Sequence, residues 1–88
     1  MLTLGERLDL VAARPLARDI AAITGDIRLD ASGVGFLGGL CLQLLLAASQ
    51  QAARMGRGFA VVDASQEFND ALALFGVAPE LLEGGAAP

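Results

Sequence analysis

The chain has 88 residues, of which 55% are hydrophobic, and a net charge of −4. This length allows a single domain, and the apolar content predicts a folded core and argues against a disordered chain. The chain has no His, which excludes His-dependent catalysis and His-dependent zinc sites. Its one cysteine, Cys41, cannot form an intrachain disulfide or a thiolate metal cluster.

The first predicted elements are a short strand and an amphipathic helix. Leu2–Leu4 is typical of a strand, and Asp9 offers a side-chain oxygen that caps the start of a helix. Apolar residues recur mostly every three or four positions over Val11–Ile23, which indicates a helix with one buried face. Gly25 ends this helix, and Ile27–Ala31 has the pattern of a second strand.

The longest predicted helix, Leu40–Met55, follows a glycine-rich loop over Ser32–Gly39. The stretch Val34–Ala48 is almost wholly apolar, but it is shorter than the roughly 18–20 residues that cross a bilayer. We therefore expect a buried helix and no insertion into a membrane. The six basic residues are all Arg and are scattered without a clustered face, so nucleic acid is not an expected partner.

A third strand and a third helix complete the pattern. Phe59–Val62 is a continuous apolar run, as expected of an interior strand, and Ser65 is placed to cap the helix Gln66–Phe75. We expect a short edge element over Val77–Leu82. The predicted core face of this third helix consists of Phe68, Ala71, Leu72 and Phe75.

The elements alternate in the order β-α-β-α-β-α, which predicts an α/β fold. Such alternation implies a mixed, mainly parallel sheet of about four strands joined by right-handed crossovers, with three main helices packed over it. We place one domain at residues 1–82 and a fraying C-terminal tail at residues 83–88. The lone cysteine and the absence of a visible signal peptide favour the cytoplasm.

Helical spacing divides the longest helix into two faces. The face predicted to pack on the sheet consists of Cys41, Leu44, Leu45, Ala48, Ala52 and Met55. Leu42 and Leu46 fall on the other face, where they form a candidate exposed patch for a partner protein or for a second copy of the chain. We interpret Cys41 as a small buried hydrophobe, although a reactive thiol at a helix start is the alternative.

The spacing Gly33-x-Gly35-x-x-Gly38 matches a dinucleotide-binding fingerprint, and Asp63 ends the next strand, where a ribose-binding acid is expected. Three features oppose that interpretation. Residues 30–32 separate the predicted strand from the first glycine, the pattern does not open the domain, and the chain is too short for a two-lobed sheet. The alternatives are glycines that permit a tight turn and a docking surface at the helix start.

Four segments, taken in order, resemble the STAS domain family, named for sulfate transporters and anti-sigma-factor antagonists. The segments are Glu6–Asp9, Leu29–Leu37, Gly58–Asp63 and Leu72–Val77. The resemblance implies an α/β domain that regulates a partner protein by binding it, without catalysis and without a cofactor or metal. It gives Asp30, Ser32 and Gly33 a structural role in the loop.

The resemblance also bears on phosphorylation. In phosphorylatable STAS domains, an Asp, two hydroxyl residues and a Gly open the helix, and the second hydroxyl accepts phosphate. The matching positions here hold Gly38, Gly39, Leu40 and Cys41. Leucine cannot accept phosphate, so we predict no phospho-acceptor at this position. Ser32 lies nearby, but such a serine ordinarily serves the turn.

The stretch Gly39-Leu40-Cys41-x-Gln43 is similar to small STAS-only proteins encoded with alphaproteobacterial chemotaxis genes. That likeness implies a chemotaxis histidine kinase as partner. An anti-sigma kinase and the ATPase of a lipid-asymmetry ABC transporter, which other STAS branches bind, are the alternatives. The predicted partner-binding residues are Gly38, Gly39, Leu40, Leu42, Gln43 and Leu46.

Overall fold

A computed structural model describes residues 1–84. The strands are β1 Leu2–Thr3, β2 Arg7–Leu8, β3 Ile27–Asp30, β4 Phe36–Leu37, β5 Phe59–Val62 and β6 Glu83–Gly84. The helices are α1 Leu10–Ala21, α2 Gly39–Arg54, α3 Gln66–Phe75 and a 3₁₀ helix, η1, at Pro79–Leu82.

Four strands form the main sheet in the order β1-β3-β5-β6, in which the first three are parallel and β6 is antiparallel to β5. This arrangement confirms the predicted α/β fold with three helices and a mainly parallel sheet of four strands. It also places residues 83–84, which we assigned to the tail, in an edge strand. Residues 85–88 of that predicted tail lie outside the described part of the chain.

A second sheet was not predicted. β2 and β4 pair in parallel, with Arg7 beside Phe36 and Leu8 beside Leu37. Each strand has two residues, which is too short to leave a periodic signal in the sequence. No strand was therefore predicted just before α1, and β4 falls within the predicted glycine-rich loop. The pairing joins the connection before α1 to the connection before α2. The two helices therefore begin at the same end of the molecule.

Local chemistry determines where the helices begin and end. The Asp9 carboxylate accepts a hydrogen bond from the Ala12 amide at 3.1 Å, and the Ser65 hydroxyl accepts one from the Phe68 amide at 3.1 Å. Both side chains act as the predicted N-caps. Gly76 ends α3 with φ 71°, a left-handed conformation that favours glycine.

The core lies between one face of the main sheet and the helices. Along β3, Ile27 and Leu29 are buried while Arg28 between them is exposed, as expected of a strand with one covered face. β5 lies between β3 and β6 in the sheet, as predicted for an interior strand; its Phe59 is buried and its other three residues are half-buried. The predicted edge element over residues 77–82 is the 3₁₀ helix η1.

Arg57 joins the turn after α1 to the connection between α2 and β5. Its side chain donates to the carbonyl oxygens of Gly25 at 2.6 Å and Ile23 at 2.8 Å. The amide of the next residue, Gly58, donates to the Asp26 carboxylate at 2.8 Å. These bonds fix the turn between α1 and β3, which in turn sets the position of α1 beside α2.

Candidate docking surface

The start of α2 is held by backbone contacts from the segment before α1. The Gly38 amide donates to the Leu8 carbonyl at 2.9 Å, and the Cys41 thiol donates to the Asp9 carbonyl at 3.3 Å. Gly38 is the N-cap residue of α2 and supplies no side chain to cap it. The helix start is therefore positioned by its neighbours rather than by a capping side chain of its own.

Exposed apolar side chains surround this helix start. Phe36 is 44% exposed, Leu40 44% and Phe75 47%. A Cβ placed on Gly38 would lie 3.3 Å from the Phe36 ring, and one placed on Gly39 would lie 3.7 Å from the Phe75 ring. The two glycines thus lie between the two rings. We call this surface, made of Phe36, Gly38, Gly39, Leu40 and Phe75, the α2-start patch.

The structure corrects the prediction that Leu42 belongs to an exposed face. Leu42 is only 3% exposed and is part of the hydrophobic core, while Leu46 is half-buried and packs against that core. Both lie on the same side of α2 as Ser49, whose hydroxyl donates to the Leu81 carbonyl of η1 at 3.0 Å. Because neighbouring elements such as η1 cover this side of α2, Leu42 is not available to a partner.

The other predicted contact residues are accessible to different degrees. Leu40 and Gln43 are exposed, and Gly38 and Gly39 are half-buried. On the face predicted to pack on the sheet, Met55 is exposed, whereas Leu44 and Ala48 are half-buried. The buried residues of α2 are Cys41, Leu42, Leu45, Ser49 and Ala52.

Sequence reasoning missed the two phenylalanines of the patch. Phe75 has the spacing of a core residue of α3, but only Phe68 and Leu72 are buried there, and Phe75 stands at the last helical position. Phe36 belongs to β4, where Leu37 points into the core and Phe36 points away from it. The available signal was the position of Phe36 between Gly35 and Gly38, since glycines near an aromatic residue leave fewer side chains to cover its ring.

The glycine loop uses its amides internally. The amides of Gly35 and Phe36 both donate to the Glu6 carbonyl, at 2.7 and 3.1 Å, and the Gly38 amide is bonded to Leu8. A phosphate-binding loop instead directs free amides at the ligand. This geometry disfavours the dinucleotide interpretation of residues 33–38.

The predicted structural residues of this loop form a local turn. The Asp30 carboxylate accepts a hydrogen bond from the Ser32 amide at 2.9 Å, and this bond holds the pKa of Asp30 below its ordinary value. Ser32 and Gly33 are exposed. The Ser65 hydroxyl donates to the Val34 carbonyl and so joins this loop to the start of α3.

A family model described as "Mlab, STAS domain" matches residues 1–83. The chain belongs to the STAS domain family. No curated protein and no solved structure was found to match it. Family membership indicates a regulatory or protein-interaction module, since STAS domains are generally non-enzymatic and commonly bind protein partners.

The predicted difference from phosphorylatable STAS domains lies at the start of α2. Leu40 stands where the resemblance places the phospho-acceptor, and Gly38 stands where it places an acid. A Cβ on Gly38 would also lie 3.2 Å from the Leu8 carbonyl oxygen, closer than most such contacts. The β2–β4 pairing therefore leaves little room for an acidic side chain at this position.

Cys41 fits the interpretation of a small buried hydrophobe. Its side chain is fully buried, and its thiol is bonded to the Asp9 carbonyl. Burial raises the pKa of the thiol, and the nearby negative charge of Asp9 raises it further. Because the thiolate is the reactive form, a raised pKa keeps this thiol unreactive at neutral pH.

Within the part of the chain that the structure describes, no three Cys, Asp or Glu side chains are grouped to hold a metal ion. None of the helices in residues 1–84 has the length and apolar character that a membrane span requires.

Proposed function

We propose that this STAS domain regulates a partner protein in the cytoplasm by docking through the α2-start patch, without a phosphorylation step of its own. The observation that supports the proposal is the exposure of Phe36, Leu40 and Phe75 around a helix start that carries no hydroxyl or acid. Apolar side chains gathered on a surface are typical of protein-interaction sites.

The size of the patch suits a regulated complex. Full burial of one such side chain contributes about 1.5–3 kcal/mol, and each of the three is already about half-buried. Together they supply roughly 3 kcal/mol before the entropy of association is subtracted. The remaining affinity must come from other contacts, such as those of Gln43. Regulation follows if the domain binds one conformation of its partner better than another and shifts that equilibrium.

The first candidate partner is a chemotaxis histidine kinase, because of the resemblance of Gly39-Leu40-Cys41-x-Gln43 to chemotaxis-associated STAS proteins. The second is the ATPase of a lipid-asymmetry ABC transporter. The matched family model, which is described by the name Mlab and not by a chemotaxis name, leaves that branch open. Both branches fit a domain that has Leu40 at the acceptor position.

Binding measurements with the kinase and the ATPase of the same organism test the proposal. Leu40→Asp places a charge in the patch and is expected to weaken binding at least tenfold, because the partner must then bury that charge. Ala53→Asp is the matched control, since Ala53 is exposed on the same helix about 20 Å away along its axis. Two quantities are measured for each variant. The first is the dissociation constant of the complex, and the second is the autophosphorylation rate of the kinase or the hydrolysis rate of the ATPase.

The outcomes separate the alternatives. Binding to the ATPase alone favours the second candidate. Equal binding by wild type and Leu40→Asp contradicts the proposed surface. A phosphate on the chain after incubation with an anti-sigma kinase and ATP, measured by intact mass, contradicts the absence of a phosphorylation step. Light scattering would reveal a homodimer, which Leu40→Asp disrupts if the same patch forms it.

A further inference from the structure

An apolar groove runs between α1 and α2 on the outer side of the molecule. The two helices are parallel, because Cys41 contacts Asp9 where both begin and Arg57 contacts Gly25 where both end. The groove has a volume of about 190 Å³. It is lined by Ala17, Ile20, Ala21, Leu44, Ala47, Ala48 and Gln51. A second depression of about 200 Å³ shares Ile20, Ala21, Ala48 and Gln51 with it and continues towards Met55.

Positive charge flanks this groove. Arg14 and Arg18 precede Ala17 and Ala21 by three residues each, so they form the neighbouring row of α1. Arg54 follows Gln51 by three residues on α2. All three arginines are exposed, and none lies within salt-bridge distance of an acidic side chain among those that the structure describes.

Neither α1 nor α2 places an acidic side chain along the groove. α2 contains no acidic residue, and the one acid of α1, Asp19, lines a different depression beside β1 and β2. The chain as a whole has a net charge of −4. The fold therefore gathers three of the six arginines on one helix pair, although they are scattered along the sequence.

We infer that the α1–α2 groove binds an acidic amphipathic helix of a partner protein. The small floor residues allow the backbone of such a helix to approach closely, and its acidic flanks meet Arg14, Arg18 and Arg54. A second copy that docks through its own α1–α2 groove is disfavoured because it presents the same three arginines. A lipid surface is disfavoured because the apolar surface here is concave. This inference is independent of the α2-start patch.

A charge-swap titration of the full chain tests the inference. The probes are two designed helical peptides of about 14 residues, enough to span the roughly 18 Å length of α1. Both carry Leu and Ala on one face, and one has Glu and the other Lys on the flanks. We expect the Glu peptide to bind at least tenfold more tightly, with NMR shifts at Ala17, Ala21, Ala47 and Ala48.

Variants of the groove sharpen the test. The triple variant Arg14→Glu, Arg18→Glu, Arg54→Glu should reverse the preference, so that the Lys peptide binds more tightly. Ala47→Glu should weaken binding of the Glu peptide about tenfold. Ala73→Glu, at an exposed position of α3, should not. Circular dichroism verifies that each variant is folded.

Three results would overturn the inference. The first is equal affinity for the two peptides at low salt. The second is a set of shifts confined to Phe36, Leu40 and Phe75, which would leave the proposed function intact. The third is binding to phosphatidylglycerol vesicles or to a DNA duplex with no binding of the Glu peptide. Leu40→Asp, which tests the α2-start patch, is expected to keep its affinity for the Glu peptide.

Discussion

Leu40 and Leu42 lie two residues apart in the first turn of α2, yet Leu40 is 44% exposed and Leu42 is 3% exposed. Gly39 and Gly38, both half-buried, differ in the room beside them, since a Cβ on Gly39 would lie 3.7 Å from the Phe75 ring and one on Gly38 only 3.2 Å from the Leu8 carbonyl oxygen. The start of α2 therefore contributes one leucine to the hydrophobic core and another to the surface. The comparison shows that the elements packed against a helix, and not hydropathy along it, decide which leucine a partner can reach.

The largest expected effect concerns the buried leucine. Leu42→Ala should lower the free energy of unfolding by about 3 kcal/mol, because it removes buried methyl groups and leaves a cavity. Leu40→Ala should change it by about 0.5 kcal/mol or less, since the side chain is half exposed. Urea denaturation of both variants measures the difference. Equal losses would mean that the two leucines do not differ in burial.

The glycine pair gives the next largest effect. Gly38→Ala should cost about 1–2 kcal/mol, because its Cβ would lie 3.2 Å from the Leu8 carbonyl oxygen and 3.3 Å from the Phe36 ring. Gly39→Ala should be neutral or stabilising by up to about 1 kcal/mol, since its Cβ makes an ordinary contact with Phe75 in a helical position. Thermal unfolding of the two variants compares them. A more stable Gly38→Ala variant would disprove the close packing between Gly38 and β2.

The smallest expected effect concerns the carboxylate of Asp9, which caps α1 at the same end of the molecule. The Ala12 amide, together with Arg7, holds the pKa of Asp9 below its ordinary value of 3.8. A carboxyl with a lowered folded-state pKa contributes stability above its unfolded-state pKa, and that contribution is lost as pH falls through the folded-state value. Stability should therefore fall below about pH 4.

Asp9→Asn isolates this contribution, because asparagine also caps a helix but does not titrate in this range. Its unfolding free energy, measured from pH 6 to pH 2, should depend less steeply on pH than that of the wild type. Parallel curves for the two proteins would assign the acid sensitivity to other carboxyl groups.

Much of the fold could be predicted because its signals are local. Asp9 and Ser65 mark helix starts through their side-chain oxygens, and both act as the predicted caps. The β2–β4 pair left no such signal, since its strands are too short to show periodicity and depend on a contact across the chain, so β4 was assigned to a loop. At residues 77–82 a short edge element was predicted, but its conformation as the 3₁₀ helix η1 was not.

The candidate site could be predicted only in part. Gly38, Gly39, Leu40 and Gln43 were identified from the sequence, and their placement at the start of α2 follows from the loop and helix pattern. Leu42 was misassigned because helical spacing gives the angle of a side chain but not what covers it. For Phe75, the same spacing predicted a core position that the last turn of α3 leaves half exposed.

The two-residue strands β2 and β4 have a consequence for the kinetics of recognition. They immobilise the backbone beneath Phe36 and Gly38 while the chain folds, and fixing one residue costs roughly 1–2 kcal/mol. A partner that arrives at this end meets a preorganised surface and does not have to order a loop. Binding can then occur in one step, without a slow ordering of the loop. Substitutions at this surface would therefore change the dissociation rate of the complex more than its association rate.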